Sequence, residues 1–527
     1  MANSTESPLT SESQSKSATS AFMPKEVNRS AAAQSDRVLR LRPKSRALKP
    51  PNSAKHRKIC PKATQRRAKA TTKFLTKEQR HEAGKALREK CLRTSHRDVV
   101  LGQGERDIVK LIEASNDDRL ENLIPIRHGR MAQSAFAYFR GTAAIQAHDL
   151  AGTPNSGIIV QACGDCHLMN FGGFATPERN IVFDINDFDE TFPAPFEWDL
   201  KRLAASFVIA ARWRGFRQDQ AREIAVQTVS SYRESMKKRE SSGVLEAWYS
   251  QITVEDLQDL VGGGVELGGR VKRKIAEARQ ATHEHVFQKL TTPTRGLPRI
   301  VDAPPLLYHV DEVNERVLAD FFNQYRETLP KERRILFDRF KPVDAALKVV
   351  GVGSVGTRCF VTLLLSAPDD ALFLQVKEAR HSVLEPYAGT NPVAHNGERV
   401  VIGQRLMQSA SDIFLGWATG PGGRDFYIRQ LRDMKVAADV ESQPPKVMRA
   451  YAKLCGLVLA RAHDKAGDAA MIAGYMGNSD EFDESIGDYA VAYADEVERD
   501  YRNFARAIRT GRLKTDLSKS DLETTLR

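Results

Sequence analysis

Polar residues able to support phosphoryl transfer are concentrated in one stretch of the chain. The string Gly164-Asp165-Cys166-His167-Leu168-Met169-Asn170 carries an aspartate and an asparagine five positions apart. Phosphoryl transfer needs metal-binding groups, a carboxylate near the attacking hydroxyl and clamps on the phosphates. The spacing lets Asp165 face an acceptor hydroxyl while Asn170 turns towards a metal ion. Asp187-Phe188-Asp189 follows and offers the hard oxygen ligands that magnesium prefers.

Two predicted strands position these residues. Residues 157–162 (GIIVQA) form a short β-branched run that ends just before Cys163, and residues 180–185 (NIVFDI) end just before Asn186. Amphipathic helices are predicted over 197–214, 218–239 and 448–463. The candidate residues are therefore expected in loops at strand ends, supported by long helices.

A glycine-rich segment later in the chain offers a phosphate clamp. Gly351, Gly353 and Gly356 lie between predicted strands at 346–352 and 358–365, and a third strand at 371–377 ends at Lys377. A dinucleotide site would need a helix after the glycines, but RCFVTLLL is β-like. Strand, glycine-rich turn and strands ending in a lysine form the pattern of a kinase phosphate-covering loop and its phosphate-binding lysine. Glu385 is the predicted partner that orients Lys377, with Glu378 as its competitor.

The motif G-D-x-H-x-x-N, followed by a strand and I-x-D-F-D, resembles the catalytic and metal loops of aminoglycoside phosphotransferases and choline kinases. Trp198-Asp199-Leu200 resembles their later Asp-Leu motif, which braces the catalytic loop. The resemblance implies that Asp165 is the catalytic carboxylate and that Asn170 and Asp187 are metal ligands. It adds His167 and Asn170 to the catalytic set, adds Asp189 to the metal set, and implies ATP and magnesium as cofactors. Cys163 stands where those enzymes usually have histidine.

A longer set of strings resembles a bacterial family catalogued as domain of unknown function 2252. The resemblance covers roughly residues 76–510 and implies no established activity. It is carried by RHGRM, AYFRG, CGDCHLMNFG, FDINDFDET and PFEWDLKRLA between Arg127 and Leu203, by QRLMQ at 404–408, by YIRQL at 427–431 and by residues 460–468.

The order of the motifs differs from that of kinases. Kinases run from glycine-rich loop to lysine to catalytic loop, whereas here the catalytic loop comes nearly 190 residues earlier than the glycines. We therefore expect an α+β, helix-rich, protein-kinase-like two-lobed fold that is circularly permuted. The expected divisions are a leader at 1–75, a helical lobe at 76–300, a β-rich nucleotide-clamp lobe at 301–440, and C-terminal helices at 441–527 that pack on the helical lobe.

Other readings of these motifs compete. Cys163-Gly164-Asp165-Cys166-His167 is also C-x-x-C-H, the attachment signature of a c-type haem, and could suggest zinc or thiol redox chemistry. His463-Asp464 or Gly467-Asp468 could supply a catalytic loop in ordinary kinase order, but no asparagine follows at the needed spacing. Arg127, Arg130 and Arg140 suit either phosphate contact or a buried carboxylate.

Charge separates the leader from the rest of the chain. Residues 37–73 hold fourteen Lys and Arg and no Asp or Glu, so removing them from the net charge of +12 leaves −2. Residues 1–75 lack apolar content and are expected to be disordered. Residues 37–73 could make weak contact with nucleic acid or anionic lipid, and the alternative is that they are only a solubilising tail. Scattered cysteines and the lack of a long apolar run predict a cytoplasmic protein without a transmembrane segment.

Three functions remain open on the sequence. The first is an ATP- and magnesium-dependent phosphotransferase acting on an unknown small-molecule or protein hydroxyl. The second is a nucleotide-binding pseudokinase that serves as a regulatory scaffold. The third is a protein that binds anionic polymers through its basic leader.

Overall fold

A computed structural model describes residues 74–101, 106–253, 256, 273, 275–277, 283–292, 297–311, 314–431 and 436–516. The predicted disordered leader lies outside the described residues, apart from Phe74 and Leu75. By its contacts, Lys73–Arg527 forms one compact unit. The expected α+β class is confirmed. The divisions predicted at 300 and 440 stay predictions.

The described helices follow the predicted amphipathic segments closely. The predictions for 197–214, 218–239 and 448–463 correspond to α6, α7 and α14. The helices are α1 Lys77–Ala86, α2 Ile108–Ser115, α3 Ile124–Met131, α4 Ala135–Arg140, α5 Ala143–Leu150, α6 Phe196–Trp213, α7 Gln218–Arg239, α8 Val244–Tyr249, α9 His283–Leu290, α10 Glu315–Thr328, α11 Lys331–Phe337, α12 Glu385–Ala388, α13 Asn396–Met407, α14 Pro445–Ala466, α15 Ala469–Met476 and α16 Glu481–Arg509.

The described strands include all five that were predicted and several that were not. They are β1 Ile159–Ala162, β2 Phe171–Ala175, β3 Ile181–Ile185, β4 Phe192–Pro195, β5 Thr291–Thr292, β6 Arg299–Ile300, β7 Leu307–Tyr308, β8 Lys341–Lys348, β9 Cys359–Ala367, β10 Asp370–Glu378, β11 Gly416–Thr419, β12 Asp425–Gln430 and β13 Val436–Ala437. The predicted strand at 346–352 begins and ends earlier, because residues from Gly351 onward belong to the turn.

Helices α6, α7, α14 and α16 form the main helical layer. Helix α6 is buried along almost its whole length, and α14 packs along α7. Pro445 opens α14, where a proline costs no helical hydrogen bond. The largest apolar core lies among these helices and the strands β1 to β4. None of the helices that the structure describes is long and apolar enough to cross a membrane.

Six antiparallel strands form the second layer, in the order β11-β12-β10-β9-β8-β7. Alternate residues of β9 and β10 point to opposite faces, as the period of two along a strand requires. Leu364 and Leu374 join Phe322 of α10 in one core, whereas Leu363 and Phe373 join a second core on the opposite face. Strand β10 is therefore central and buried, and it holds Lys377 near its C-terminal end.

Candidate functional site

The predicted catalytic loop runs from the end of β1 to the start of β2. The carboxylate of Asp199 on α6 accepts hydrogen bonds from the backbone N–H groups of Cys163 (2.6 Å) and Gly164 (3.0 Å). Gly164 has a φ of +87°, and a Cβ there would lie 2.2 Å from the carbonyl oxygen of Glu190. Only glycine fits this position without a shift of the backbone. The loop is thus fixed between α6 and the segment that follows Asp189.

Asp165 is held by an arginine that sequence reasoning missed. Arg202 on α6 is almost fully buried, and its Nε and Nη2 lie 2.8 and 2.6 Å from Oδ1 of Asp165. Arg202 also donates from Nη1 to Gln146 Oε1 at 2.8 Å. Because the guanidinium covers Oδ1, the other oxygen, Oδ2, is the one left for a substrate. The side chain of Asp165 is 21% exposed, which allows such a contact.

His167 lies beside Asp165 as a neutral ring. Burial lowers its pKa to about 4, although the nearby charge of Asp165 opposes this shift. Its Nδ1 accepts a hydrogen bond from the N–H of Met169, so the ring proton resides on Nε2. Nε2 lies 3.8 Å from Asp165 Oδ2. His167 is therefore a poor base, and its Nε2 lies beyond hydrogen-bond distance of the Asp165 carboxylate.

Asn170 connects the catalytic loop to the start of the metal loop. Its side-chain N–H group donates to the backbone carbonyl oxygen of Asp165 at 2.7 Å. The backbone carbonyl oxygen of Asn170 accepts from the backbone N–H of Asn186 at 2.7 Å. The amide nitrogen is thus engaged, and the amide oxygen remains the atom with which Asn170 could bind a cation. Because Asp187 follows Asn186, the bond places both predicted metal ligands on adjoining segments.

Lys377 lies against the two aspartates of Asp187-Phe188-Asp189. Its Nζ lies 2.6 Å from Asp189 Oδ2 and 3.8 Å from Asp187 Oδ1. The hydroxyl of Tyr427, opposite Lys377 in the sheet, donates to Asp189 Oδ1 at 2.6 Å. Burial disfavours the charged ammonium, but Asp187 and Asp189 raise the pKa of Lys377 well above its ordinary value. The lysine and the metal loop are thus brought together from distant parts of the chain.

The predicted partner of Lys377 is replaced by another residue. The carboxylate of Glu385 accepts from His381 at 2.9 Å, and Glu378 pairs with Arg358 and Arg424. Asp189 takes the orienting role that was predicted for Glu385. Glu385 is the first residue of α12, which begins in the connection after β10, four residues after His381. This position brings its carboxylate to His381 instead of Lys377.

Two of the three predicted metal ligands have an oxygen atom that could bind a hard cation. Asp187 Oδ1 is buried and has no hydrogen-bond partner in the described structure, and the amide oxygen of Asn170 is the second candidate ligand. Both oxygens of Asp189 are occupied by Lys377 and Tyr427, so in this arrangement Asp189 anchors the lysine. No group of three or more His, Cys, Asp or Glu is placed to hold a metal within the described ranges. Magnesium needs few protein ligands, because water and phosphate complete its shell.

The glycine-rich turn presents amides rather than carbonyls. Arg130 Nη1 donates to the carbonyl of Gly351 (2.5 Å), Arg119 Nη1 to that of Val355 (2.6 Å), and the N–H of Leu120 to that of Gly356 (2.8 Å). The N–H groups of residues 351–356 find no acceptor of good geometry among the described residues. Val355 and Gly356 are buried, and buried N–H groups normally have a partner. The turn is thus tied to residues 119–130 through three of its carbonyl oxygens.

The residues of the alternative motifs have structural roles. Cys163 and Cys166 are buried, and the thiol of Cys163 donates to the carbonyl of Asp187 at 3.2 Å, which gives it a bracing role. His463 is fully buried, accepts from or donates to Tyr232 at 2.9 Å, and contacts Asp199 at 3.2 Å. It therefore supports the residue that fixes the catalytic loop instead of forming a second loop of that kind.

Comparison with curated proteins and with solved structures returns no match. One family model, described as "Uncharacterized protein conserved in bacteria" (DUF2252), matches residues 119–507. This match covers most of the chain, including the catalytic loop, the metal loop, the glycine-rich turn and Lys377. The chain therefore belongs to the DUF2252 family of bacterial proteins.

Proposed function

We propose that this chain is an ATP- and magnesium-dependent phosphotransferase acting on a hydroxyl acceptor, built on a circularly permuted kinase-like fold. The observation that carries the proposal is the contact of Lys377 with Asp187 and Asp189. A phosphate-binding lysine and a metal-binding aspartate must meet in one cleft for nucleotide phosphates to bridge them. Here they meet although the lysine follows the aspartates by almost 190 residues.

The surroundings of this contact support the same function. The glycine-rich turn connects antiparallel strands β8 and β9, and β10, which pairs with β9, carries the lysine, as expected for a phosphate-covering lobe. The catalytic loop is followed by the hairpin β2-β3 and then by Asp187, which is the order expected for a catalytic loop and its metal loop. The amides of residues 351–356 add donors for phosphate oxygens. The permuted kinase-like fold is an interpretation of this arrangement.

Each protein group has a separate task in the proposed reaction. Bound ATP would supply its terminal phosphoryl group and leave as ADP, and magnesium would neutralise the charge of the phosphates. Asn170 and Asp187 would hold the metal, and Lys377 has further N–H groups beyond the one on Asp189 with which to bind phosphate oxygens. Asp165 Oδ2 would accept the proton of the acceptor hydroxyl, while Arg202 fixes the orientation of its carboxylate and the ring of His167 lies beside it.

A nucleotide-binding pseudokinase is the second candidate. The observation that favours it is the double contact of Arg202 with Asp165 Oδ1, because a carboxylate oxygen held by a buried guanidinium is not available to an acceptor hydroxyl. In this case nucleotide would bind without phosphoryl transfer.

Titration calorimetry of the full chain with ATP, with and without magnesium, tests nucleotide binding, and an ATP-turnover assay separates the two candidates. Magnesium-dependent binding with turnover supports the phosphotransferase, and binding without turnover supports the pseudokinase. Lack of nucleotide binding in the wild-type chain would contradict both.

A further inference from the structure

A second concentration of positive charge lies beside the glycine-rich turn. Five arginines, here called the arginine cage, surround the loop of residues 115–118 that follows α2. They come from separate parts of the chain, since one precedes α3, one lies within α3, one directly precedes β9 and two lie next to β10 and β12. The arginine cage consists of Arg119, Arg127, Arg358, Arg380 and Arg424.

Each residue of this loop accepts a hydrogen bond from a different arginine. Arg119 donates to the carbonyl of Ser115 at 2.9 Å, and Arg127 to the side-chain oxygen of Asn116 at 2.5 Å. Arg380 donates to the carbonyl of Asp117 at 2.6 Å.

Asp118 is bound from two sides. Arg358 donates to its carbonyl at 3.1 Å, and Arg424 to its carboxylate at 2.6 Å. The loop thus fills the arginine cage mainly with neutral carbonyl oxygens.

In the described structure, fewer carboxylates contact the arginine cage than there are arginines in it. Asp118 and Glu378 contact its members, and Glu190 acts on Arg119 from further away. Burial together with Arg127 and Arg380 lowers the pKa of Arg119. Burial and Arg380 also lower the pKa of Arg127, to about 10. Burial is the larger cause of both pKa shifts, and repulsion between the arginines adds to it.

Asp118 is the one residue of the described loop whose carboxylate contacts the arginine cage, and this ion pair is partly exposed to solvent. The side chain of Asp118 is 50% exposed, and that of Arg424 is 31% exposed. Ion pairs of this exposure contribute little to stability. Asp118 also has a φ of +55°, a left-handed conformation that a non-glycine residue adopts at a small cost. A stronger anion could therefore replace it.

We propose that the arginine cage is a binding site for the phosphate group of a phosphate-bearing small molecule, which displaces the loop of residues 115–118. Guanidinium groups match phosphate oxygens in bidentate pairs, and a phosphate carries more charge than the carboxylate of Asp118. The site is distinct from the cleft at Lys377 and does not depend on the proposed phosphotransferase activity.

The geometry also connects this site to the glycine-rich turn. Arg119 and Leu120, which follow the loop directly, bind the carbonyls of Val355 and Gly356. Displacement of the loop by an anion would move Arg119 and Leu120 and so lengthen or break these two hydrogen bonds. Occupancy of the arginine cage is therefore expected to change the position of the turn and, with it, the affinity of any ligand bound there.

Calorimetric titration of inorganic pyrophosphate into the full chain tests the proposal when the chain carries Lys377→Met. That background removes the lysine of the nucleotide cleft, so failure of the phosphotransferase proposal would not affect the result. We expect pyrophosphate to bind in this background. Adding Arg424→Gln or Arg358→Gln should weaken binding roughly tenfold, because each removes a charged donor. Adding Asp118→Asn should tighten binding several-fold, since the competing carboxylate is lost.

Arg222→Gln is the matched control. Arg222 is similarly exposed and pairs with Glu484 and Asp488 outside the arginine cage, so pyrophosphate binding should be unchanged. Thermal unfolding of each variant verifies that it is folded, and Arg424 is the safer position because it is the more exposed. The proposal would be overturned if pyrophosphate does not bind to the Lys377→Met chain. It would also be overturned if the added Arg424, Arg358 and Asp118 substitutions leave the affinity of that chain for pyrophosphate unchanged.

Discussion

Nζ of Lys377 lies 2.6 Å from Oδ2 of Asp189, across 188 residues of sequence. The ammonium is 5% exposed and the carboxylate 28% exposed, so the pair is largely removed from water. A buried charge that loses its partner destabilises a fold more than removal of both charges does. The pair is thus a sensitive point for the stability of the fold.

Asp189→Asn is expected to lower the free energy of unfolding by about 2 kcal/mol, because it leaves Lys377 with only the more distant Asp187. The double variant Lys377→Met with Asp189→Asn should recover part of this loss. Chemical denaturation of the single and double variants measures both effects. Equal stability of Asp189→Asn and wild type would show that the pair is not formed in solution.

Asp187→Asn should weaken magnesium-dependent nucleotide binding, since the negative charge of a carboxylate is what holds a hard cation. Nucleotide binding without magnesium should change much less. Glu385→Gln is the control, because Glu385 contacts His381 instead of Lys377. Calorimetry with a non-hydrolysable ATP analogue, with and without magnesium, compares the two variants. A Glu385→Gln effect as large as that of Asp187→Asn would contradict the assignment of the lysine partner.

Much of the site could be predicted from local sequence. The β-branched run at 180–185, the glycines at 351–356 and the strand ending at Lys377 have patterns of short range, and the structure shows the corresponding elements. Lys377 and Asp187 could be expected close together only from the resemblance of both motifs to those of kinase-like enzymes.

Long-range partners could not be predicted in the same way. Arg202 reaches Asp165 because one turn of α6 faces the catalytic loop, and Asp199 on the same helix already fixes that loop. The sequence of α6 contains several charged residues, and its periodicity does not tell which of them is buried against which loop. The orienting role of Asp189 was missed for a related reason, since it depends on how the sheet docks on the metal loop. Strand β2 was missed because Gly172 and Gly173 have low β-propensity.

Asp165→Asn should leave nucleotide binding nearly intact and reduce turnover by about 10²- to 10⁴-fold, the range for loss of a positioned general base. The reason is its place beside His167 and Arg202, away from the contact of Lys377 with the metal loop. Steady-state ATP turnover and calorimetry of the same preparation measure the two effects separately. Unchanged turnover in a chain that consumes ATP would remove Asp165 from the catalytic role.

Lys201 on α6 provides a pH-dependent test of the helical core. Its side chain is fully buried, its Nζ has no hydrogen-bond partner in the described structure, and it lies 4.6 Å from the ring centroid of Tyr489. Burial lowers its pKa from 10.5 to about 8, although Glu197 opposes the shift. The folded state therefore releases this proton more readily than the unfolded state does.

The sign of the effect follows from proton linkage. Below about pH 8 the folded chain carries the full cost of the buried ammonium, and this cost is relieved as the pH rises from about 8 towards 10.5. Lys201→Met removes the charge and keeps a similar apolar stem. The variant should be more stable than wild type by about 3 kcal/mol at pH 7, and the difference should shrink above pH 8.

Urea denaturation of wild type and Lys201→Met at a series of pH values between 7 and 10.5 measures this difference. Lys237→Met is the control, because Lys237 is exposed on α7 and its replacement should produce no such trend. Repeating the pair in a Glu197→Gln background removes the titration of the neighbouring acid, whose pKa is raised by burial. A stability difference between wild type and Lys201→Met that stays constant from pH 7 to 10.5 would show that Lys201 is not buried as a titrating group.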